Sequence, residues 1–303
     1  MTRRSLVTGG GGFIGRHLVR LLLERGERVR VLDIVPADGA PADGLPQSAE
    51  MVLGSITDAA CVREAMADVE RVYHLAANPN LWAPRAASFL EVNHLGTRTV
   101  LAEAERRGVE RVVYTSTESI LKKSPGMRLW RQQEAAPIDE RVELGVEDMP
   151  GPYCRSKFLA EAEAHAAARR GLPVVIVNPT MPIGPGDRHL TPPSRMLLGF
   201  LNGEMPAYLD CVFNLVDARD VAAGHILAAE RGQVGERYIL GNTNIGLKQL
   251  LDLLHELTGL AMPRLRIPYP VALAAALVAE TISAVTGRPP MAPLTGVRLA
   301  ATP

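Results

Sequence analysis

Apolar and polar positions along this chain follow two periods in turn. Leu6 and Val7 form a short apolar run that enters a glycine cluster, and an amphipathic run with Phe13, Ile14, Leu18, Val19 and Leu22 leaves it. That order predicts strand, tight turn and helix. Further short apolar runs at 29–33, 51–53, 71–77, 111–114 and 172–177 predict strands, and Thr57 or Asp58 is placed to cap the helix after the third. Phe89, Val92, Leu95, Val100 and Leu101 fall near one face of a long helix over 84–108. Strands alternating with helices of this length argue for βαβ units and a parallel sheet.

The glycine cluster adds chemistry to this pattern. Gly10, Gly12 and Gly15 fit a G-x-G-x-x-G spacing, and Gly9, Gly12 and Gly15 fit G-x-x-G-x-x-G. Such a turn lets the main chain approach a pyrophosphate and sets a helix N-terminus, with its free N–H groups, against the phosphates. The second apolar run ends in Asp33, about twenty residues on, where a carboxylate accepts hydrogen bonds from an adenosine ribose. Asp33 would repel a 2′-phosphate, and Ile34, Val35 and Pro36 supply no cation, so NAD is expected over NADP. Ligands of such sheets sit at the carboxyl ends of the strands. Residues 9–15, Asp33, Ala76, Ala77 and 115–117 should therefore crowd one edge.

Beyond Asn178 the rhythm changes. A Pro- and Gly-rich connection at 178–186 leads to short elements: helices at 193–202, 220–231, 249–258 and 270–286, and strands at 213–216 and 237–240. The expected fold is α/β: a Rossmann doubly wound parallel sheet over 1–178, then a smaller α+β lobe over 179–303 that binds substrate. A strand or helix near 213–231 is expected to return to the first domain. The apolar stretch 271–285 is too short to span a bilayer and carries Glu280, so it predicts a buried helix and no integral membrane segment.

Composition narrows the classes. The 303 residues are 47% hydrophobic with zero formal net charge, which offers no electrostatic footprint for nucleic acid. Cys61, Cys154 and Cys211 lack C-x-x-C spacing and suggest reduced thiols of a cytoplasmic protein. The first strand begins almost at once, leaving no room for a signal peptide. No metal site is expected.

Tyr153 and Lys157 stand at i and i+4 on a helix that continues through Leu159, Ala160 and Ala164. The two side chains share a face, and a nearby ammonium lowers a phenol pKa, which makes Tyr153 a candidate general acid/base.

With residues 8–15, His74-Leu75-Ala76-Ala77, Asn93 with Gly96-Thr97, Thr115-Ser116-Thr117, Tyr153 with Lys157, and Asn178-Pro179 in this order, the chain resembles the extended short-chain dehydrogenase/reductases, the NAD-dependent epimerase/dehydratase family. The resemblance implies Tyr153 as acid/base and Lys157 as the residue that holds the nicotinamide ribose. It implies Thr117 as the catalytic hydroxyl, with the neighbouring Ser116 as the alternative, and Asn93 as structural or part of a proton relay. It implies a cofactor site of Gly9, Gly12, Phe13, Ile14, Gly15, Asp33, Ser55, Ile56, Leu75, Ala76, Ala77, Asn93, Thr115, Tyr153, Lys157, Asn178 and Pro179. Glu118, Met181 and Phe213 are the expected substrate contacts. A homodimer through the helices before Gly108 and after Lys157 is implied by the resemblance alone.

Four stretches, at 148–161, 171–179, 214–225 and 235–241, look most like hopanoid-associated sugar epimerases, neighbours of dihydroflavonol 4-reductases. A sugar or sugar-like polyol epimerase is the expectation, with a ketone reductase or hydroxysteroid-type dehydrogenase on an apolar substrate as the alternative. A non-catalytic NAD(H)-binding regulator is the reading of another class. The chain departs from sugar-nucleotide dehydratases, because Thr117 is followed by Glu118 and Ser119 rather than Asp-Glu. It departs again at 211–214, where Cys-Val-Phe-Asn replaces the arginine that grips a substrate pyrophosphate. His74 and His225 are expected to be structural, and Lys122, Lys123, Arg128 and Arg131 to form a solvated basic loop.

Overall fold

The structure is a computed structural model that describes residues 3–34, 45–123 and 138–301. Arg128, Arg131 and most of the loop at 36–48 lie outside the described residues.

Among the described residues the first half runs β1 (Arg4–Thr8), α1 (Phe13–Glu24), β2 (Arg28–Asp33), β3 (Glu50–Leu53), α2 (Ala59–Ala65) and β4 (Arg71–His74). Then come α3 (Ala87–Phe89), a π-helical turn (Leu90–Gly96), α4 (Thr97–Arg107), β5 (Arg111–Thr115), α5 (Pro152–Arg169) and β6 (Val174–Pro179). The second half runs β7 (Met181–Ile183), α6 (Pro192–Leu201), β8 (Ala207–Leu209), β9 (Val212–Asp217), α7 (Ala218–Arg231), β10 (Arg237–Leu240) and β11 (Thr243–Gly246). It closes with α8 (Leu247–Thr258), β12 (Leu265–Ile267), α9 (Tyr269–Thr286) and α10 (Leu294–Ala300).

Among the described residues seven strands form one parallel sheet in the order β10-β6-β5-β4-β1-β2-β3. Strand side chains alternate between faces, and the sequence exploits this. Leu6, Val112, Tyr114, Val174 and Ile176 meet α2, α4 and α5 through Val62, Val100, Leu101, Ala160 and Ala164. Their neighbours Val7, Val113, Val175 and Val177 meet α1 and α7 through Leu18, Leu22, Ala222 and Ile226. Both faces are thus covered, as a parallel sheet requires. The register pairs Thr8 with His74, His74 with Tyr114, and Thr115 with Val177. The residues that follow these strands therefore emerge along one edge.

Two smaller sheets lie beyond residue 180: β11-β9-β7 and β12-β8. β10 and α7 follow in sequence the strand expected to end the first domain, yet β10 pairs with β6 and α7 packs on the main sheet.

Several expectations need correction. Asn178 and Pro179 belong to β6, and Met181–Ile183 is a strand rather than part of an irregular connection, because β9 offers it a parallel partner. The strand expected through Ala77 stops at His74. The long helix starts later than expected and carries the π-helical turn, which turns Asn93 inward, fully buried. Helix α9 is not buried. It is 18 residues long and, by length and composition alone, long enough to cross a membrane. Hydropathy identified it as apolar without saying which elements would cover it.

Candidate active site

The β1–α1 turn is shaped by close approach. Gly9 has φ +71°, and a Cβ there would lie 2.8 Å from the Ala76 backbone. A Cβ on Gly15 would lie 2.2 Å from the Gly9 carbonyl oxygen, so the helix can pack on the turn only through glycine. Gly12 is the N-cap of α1, with no side-chain cap and no acid in the first turn. The helix N-terminus is therefore open to an anion. Asp33 ends β2 beside this turn, and its Oδ2 accepts from the Gly11 N–H at 2.8 Å. Burial raises its pKa above the usual carboxylate value, against the lowering pull of the Gly11 and Ile34 N–H groups. An uncapped helix end, a glycine turn and a carboxylate at the next strand end fit a dinucleotide.

The other expected cofactor residues fall along the same edge. Leu75, Ala76 and Ala77 follow β4, and the Ala76 N–H donates to Thr8 Oγ1 at 3.2 Å. Phe13 and Ile14 open α1, Ser55 and Ile56 follow β3, and Asn178 and Pro179 close β6. Asn93 commits its amide to the protein: Oδ1 accepts from the Asn78 N–H at 2.7 Å and Nδ2 donates to Ser156 Oγ at 3.0 Å. Ser156 Oγ donates in turn to the Tyr153 carbonyl, so Asn93 anchors the first turn of α5.

The two buried histidines, His74 and His225, spend both ring nitrogens on hydrogen bonds within the protein. Thr97 Oγ1 donates to the Asn93 carbonyl, so it accepts from His74 Nε2–H at 2.9 Å. His74 Nδ1 then accepts from Thr8 Oγ1 at 2.7 Å. Burial and the Lys157 charge push its pKa down to about 3, which keeps the ring neutral. His225 donates from Nδ1 to the Val221 carbonyl and accepts at Nε2 from Thr115 Oγ1. Burial lowers its pKa to about 4.

The chemical cluster spans β5 and α5. Thr117 caps a short 3-10 turn (Glu118–Ile120) by accepting from the Ser119 N–H. Tyr153 is half-buried at the start of α5, edge-on to Phe89 at 6.3 Å between ring centroids. Lys157 is buried; its Nζ donates to the Thr115 carbonyl at 2.6 Å and lies 4.6 Å above the Tyr114 ring. The Tyr153 pKa is raised rather than lowered. Burial dominates, Cys154 and Glu118 add to it, and only the Thr117 hydroxyl pulls the other way. The ammonium faces a carbonyl and an aromatic ring. Burial lowers the Lys157 pKa to about 7, opposed by Glu161.

Glu161, one turn after Lys157, was missed as a site residue, although the four-residue spacing from Tyr153 through Lys157 signalled it. Its Oε2 accepts from Asn178 Nδ2 at 2.9 Å and its Oε1 from Arg237 Nη1 at 3.1 Å. Burial favours protonation, but these donors and His165 outweigh it and hold the carboxyl below its usual pKa. Asn178 Nδ2 also donates to the Thr117 carbonyl at 3.1 Å, which ties this carboxylate to the catalytic-hydroxyl candidate. Arg16 also braces the glycine turn; its guanidinium donates to the Gly11 carbonyl at 2.8 Å.

Of the expected substrate contacts, Glu118 pairs with Lys122 at 3.5 Å, Met181 begins β7, and Phe213 lies on β9. Phe213 and Leu215 pack with Phe200, Met196 and Leu197. Among the described residues no group of acids, cysteines and histidines is arranged to hold a metal ion.

The family model described as "NAD dependent epimerase/dehydratase family" matches residues 5–241. A Synechocystis sp. protein provisionally named a dihydroflavonol 4-reductase is 41% identical over 97% of this chain and 84% of its own length. Sterol demethylase protein B of Methylococcus capsulatus is 37% identical over 87% of this chain and 77% of its own length. The solved structure of DesIV, a dTDP-glucose 4,6-dehydratase from Streptomyces venezuelae with NAD bound, superposes with a TM-score of 0.72. It is 28% identical and covers 87% of this chain and 84% of its own.

Proposed function

Because the chain belongs to the NAD-dependent epimerase/dehydratase family and is an NAD-dependent oxidoreductase, we propose that it reduces a ketone to a secondary alcohol, reversibly, on an apolar small molecule. NAD supplies the two-electron donor or acceptor at its nicotinamide ring. The glycine turn and the open N-terminus of α1 hold its pyrophosphate, and Asp33 accepts from the adenosine ribose. Tyr153 donates its hydroxyl proton to the substrate oxygen, and Thr117 Oγ1 donates a hydrogen bond to the same atom. Lys157, protonated below about pH 7, would hold the nicotinamide ribose with its ammonium. The raised Tyr153 pKa leaves the phenol protonated, which is the state that ketone reduction consumes.

The observation that carries the apolar substrate is the sequence of β9: residues 211–214 present no cation to a pyrophosphate, and Phe213 and Leu215 pack into the apolar cluster around Phe200. The names of the two sequence relatives support the same class. A sugar epimerase is the second reading, favoured by Glu118, an acid directly after Thr117 whose carboxylate pairs with Lys122 at 3.5 Å.

The test is an NADH-oxidation assay with a panel of long-chain β-keto acids and aromatic ketones, beside incubation of UDP-glucose with NAD+ and analysis of the sugar product. Net NADH oxidation with an apolar ketone is the expected result. Epimerisation of UDP-glucose without net NADH oxidation would replace this reading with the second.

A further inference from the structure

Helix α9 wears its large side chains on the outside. Ala272, Ala276 and Ser283 face the protein, while Val271, Val278, Ile282 and Val285 are 54%, 60%, 57% and 86% exposed. With Ala274 and Ala275 these outward residues recur at helical spacing and form a continuous apolar strip. A surface helix of a water-bathed protein places small or apolar groups inward and charge outward; here the outward face carries no charged side chain. The helix's acid, Glu280, turns away and accepts from the Leu294 N–H at 3.0 Å, capping α10.

The flanks are basic. Over 260–291 the sequence holds Arg264, Arg266 and Arg288 against the single acid Glu280, and all three arginines are exposed at the two ends of α9. Asp210 pairs with Arg266, which leaves the charge balance of the flanks positive. An apolar strip between cations matches an anionic lipid surface, where acyl chains take the strip and headgroups take the arginines. It does not match a second copy of this chain. A two-fold pairing of α9 would set the basic start of one helix against the basic end of the other, with no acid on the contact face to offset them.

We propose that the outer face of α9 docks in the interface of an anionic lipid bilayer. The docking face is linked to the candidate active site. α10 packs on α9 and reaches the Tyr153 segment: Thr295 abuts Gly151, Arg298 Nη1 donates to the Pro150 carbonyl at 3.1 Å, and Leu299 joins the cluster around Tyr153.

The test is co-sedimentation of the full chain with vesicles, which reads binding and not turnover, so it stands or falls apart from the proposed chemistry. Vesicles of phosphatidylcholine alone are compared with equal parts phosphatidylcholine and phosphatidylglycerol. The expected result is pelleting with the phosphatidylglycerol vesicles that weakens with added salt. It falls about tenfold or more in Val278→Asp/Ile282→Asp, whose thermal midpoint stays near that of the parent. Arg264→Gln/Arg288→Gln keeps the strip intact and should reduce the preference for phosphatidylglycerol. Absence of pelleting, equal pelleting by the Asp variant, or a parent dimer that the Asp variant dissociates would each overturn the proposal.

Discussion

The region where α5 meets β5 and β6 and the region around α9 put the same kinds of residue to opposite use. In the first, charged and polar groups are buried and held: Lys157 by the Thr115 carbonyl, Glu161 by Asn178 and Arg237, Asn93 by Asn78 and Ser156. In the second, apolar groups are exposed, the arginines stand at the ends of the helix, and Glu280 is turned to the start of α10. A buried charge persists only where partners offset its desolvation, so each such group fixes its neighbours and leaves little freedom. An exposed apolar strip constrains nothing inside the protein. The first region ties its groups into a fixed network of the kind chemistry needs, and the second leaves its apolar face to a partner outside the chain.

Substitutions sharpen this contrast. Gly15→Val should be the most damaging change in the fold: its Cβ would lie 2.2 Å from the Gly9 carbonyl oxygen, backbone that cannot move away. The expected cost is about 1–3 kcal/mol of stability, read by denaturant unfolding, with NADH affinity in a fluorescence titration lost alongside. A wild-type affinity in that variant would remove the glycine turn from the cofactor site.

Glu161→Gln keeps the shape and removes the charge, so its effect is on pH dependence. Lys157 is protonated below about pH 7 and loses its charge as pH rises through that value, and the Glu161 carboxylate raises it. Without that charge the Lys157 pKa falls further. Activity that needs the ammonium should then disappear at lower pH than in the parent, seen as a shift of the alkaline limb of the kcat profile to the acid side. An unmoved limb would show that Glu161 serves packing alone.

At the other end of the scale, Val285→Asp should change stability by less than about 0.5 kcal/mol, because an exposed position has no native contact to lose. A large loss in chemical denaturation would show that α9 is covered in solution.

The same contrast decides what could be read from the sequence. The glycine turn, Asp33 and the Tyr153–Lys157 pair were legible because each depends on spacing within one element or one βαβ unit. The carboxylate cluster was not: it needs Arg237 on β10, 76 residues beyond Glu161, and only the sheet brings the two together. Strands β7, β11 and β12 have three or four residues, too few for a period to show. The lowered Lys157 and raised Tyr153 pKa values depend on burial, which spacing does not report. Composition correctly marked α9 as apolar, but inside and outside look alike in a helix that is apolar on both faces.

The most direct test of the central claim pairs two readings on Tyr153→Phe, which removes one hydroxyl and keeps the ring against Phe89. NADH affinity is measured by fluorescence and ketone turnover by nicotinamide absorbance. The expected result is unchanged NADH affinity with turnover lower by about 10²–10⁴-fold, the range a general acid supplies. Turnover close to that of the parent would contradict it.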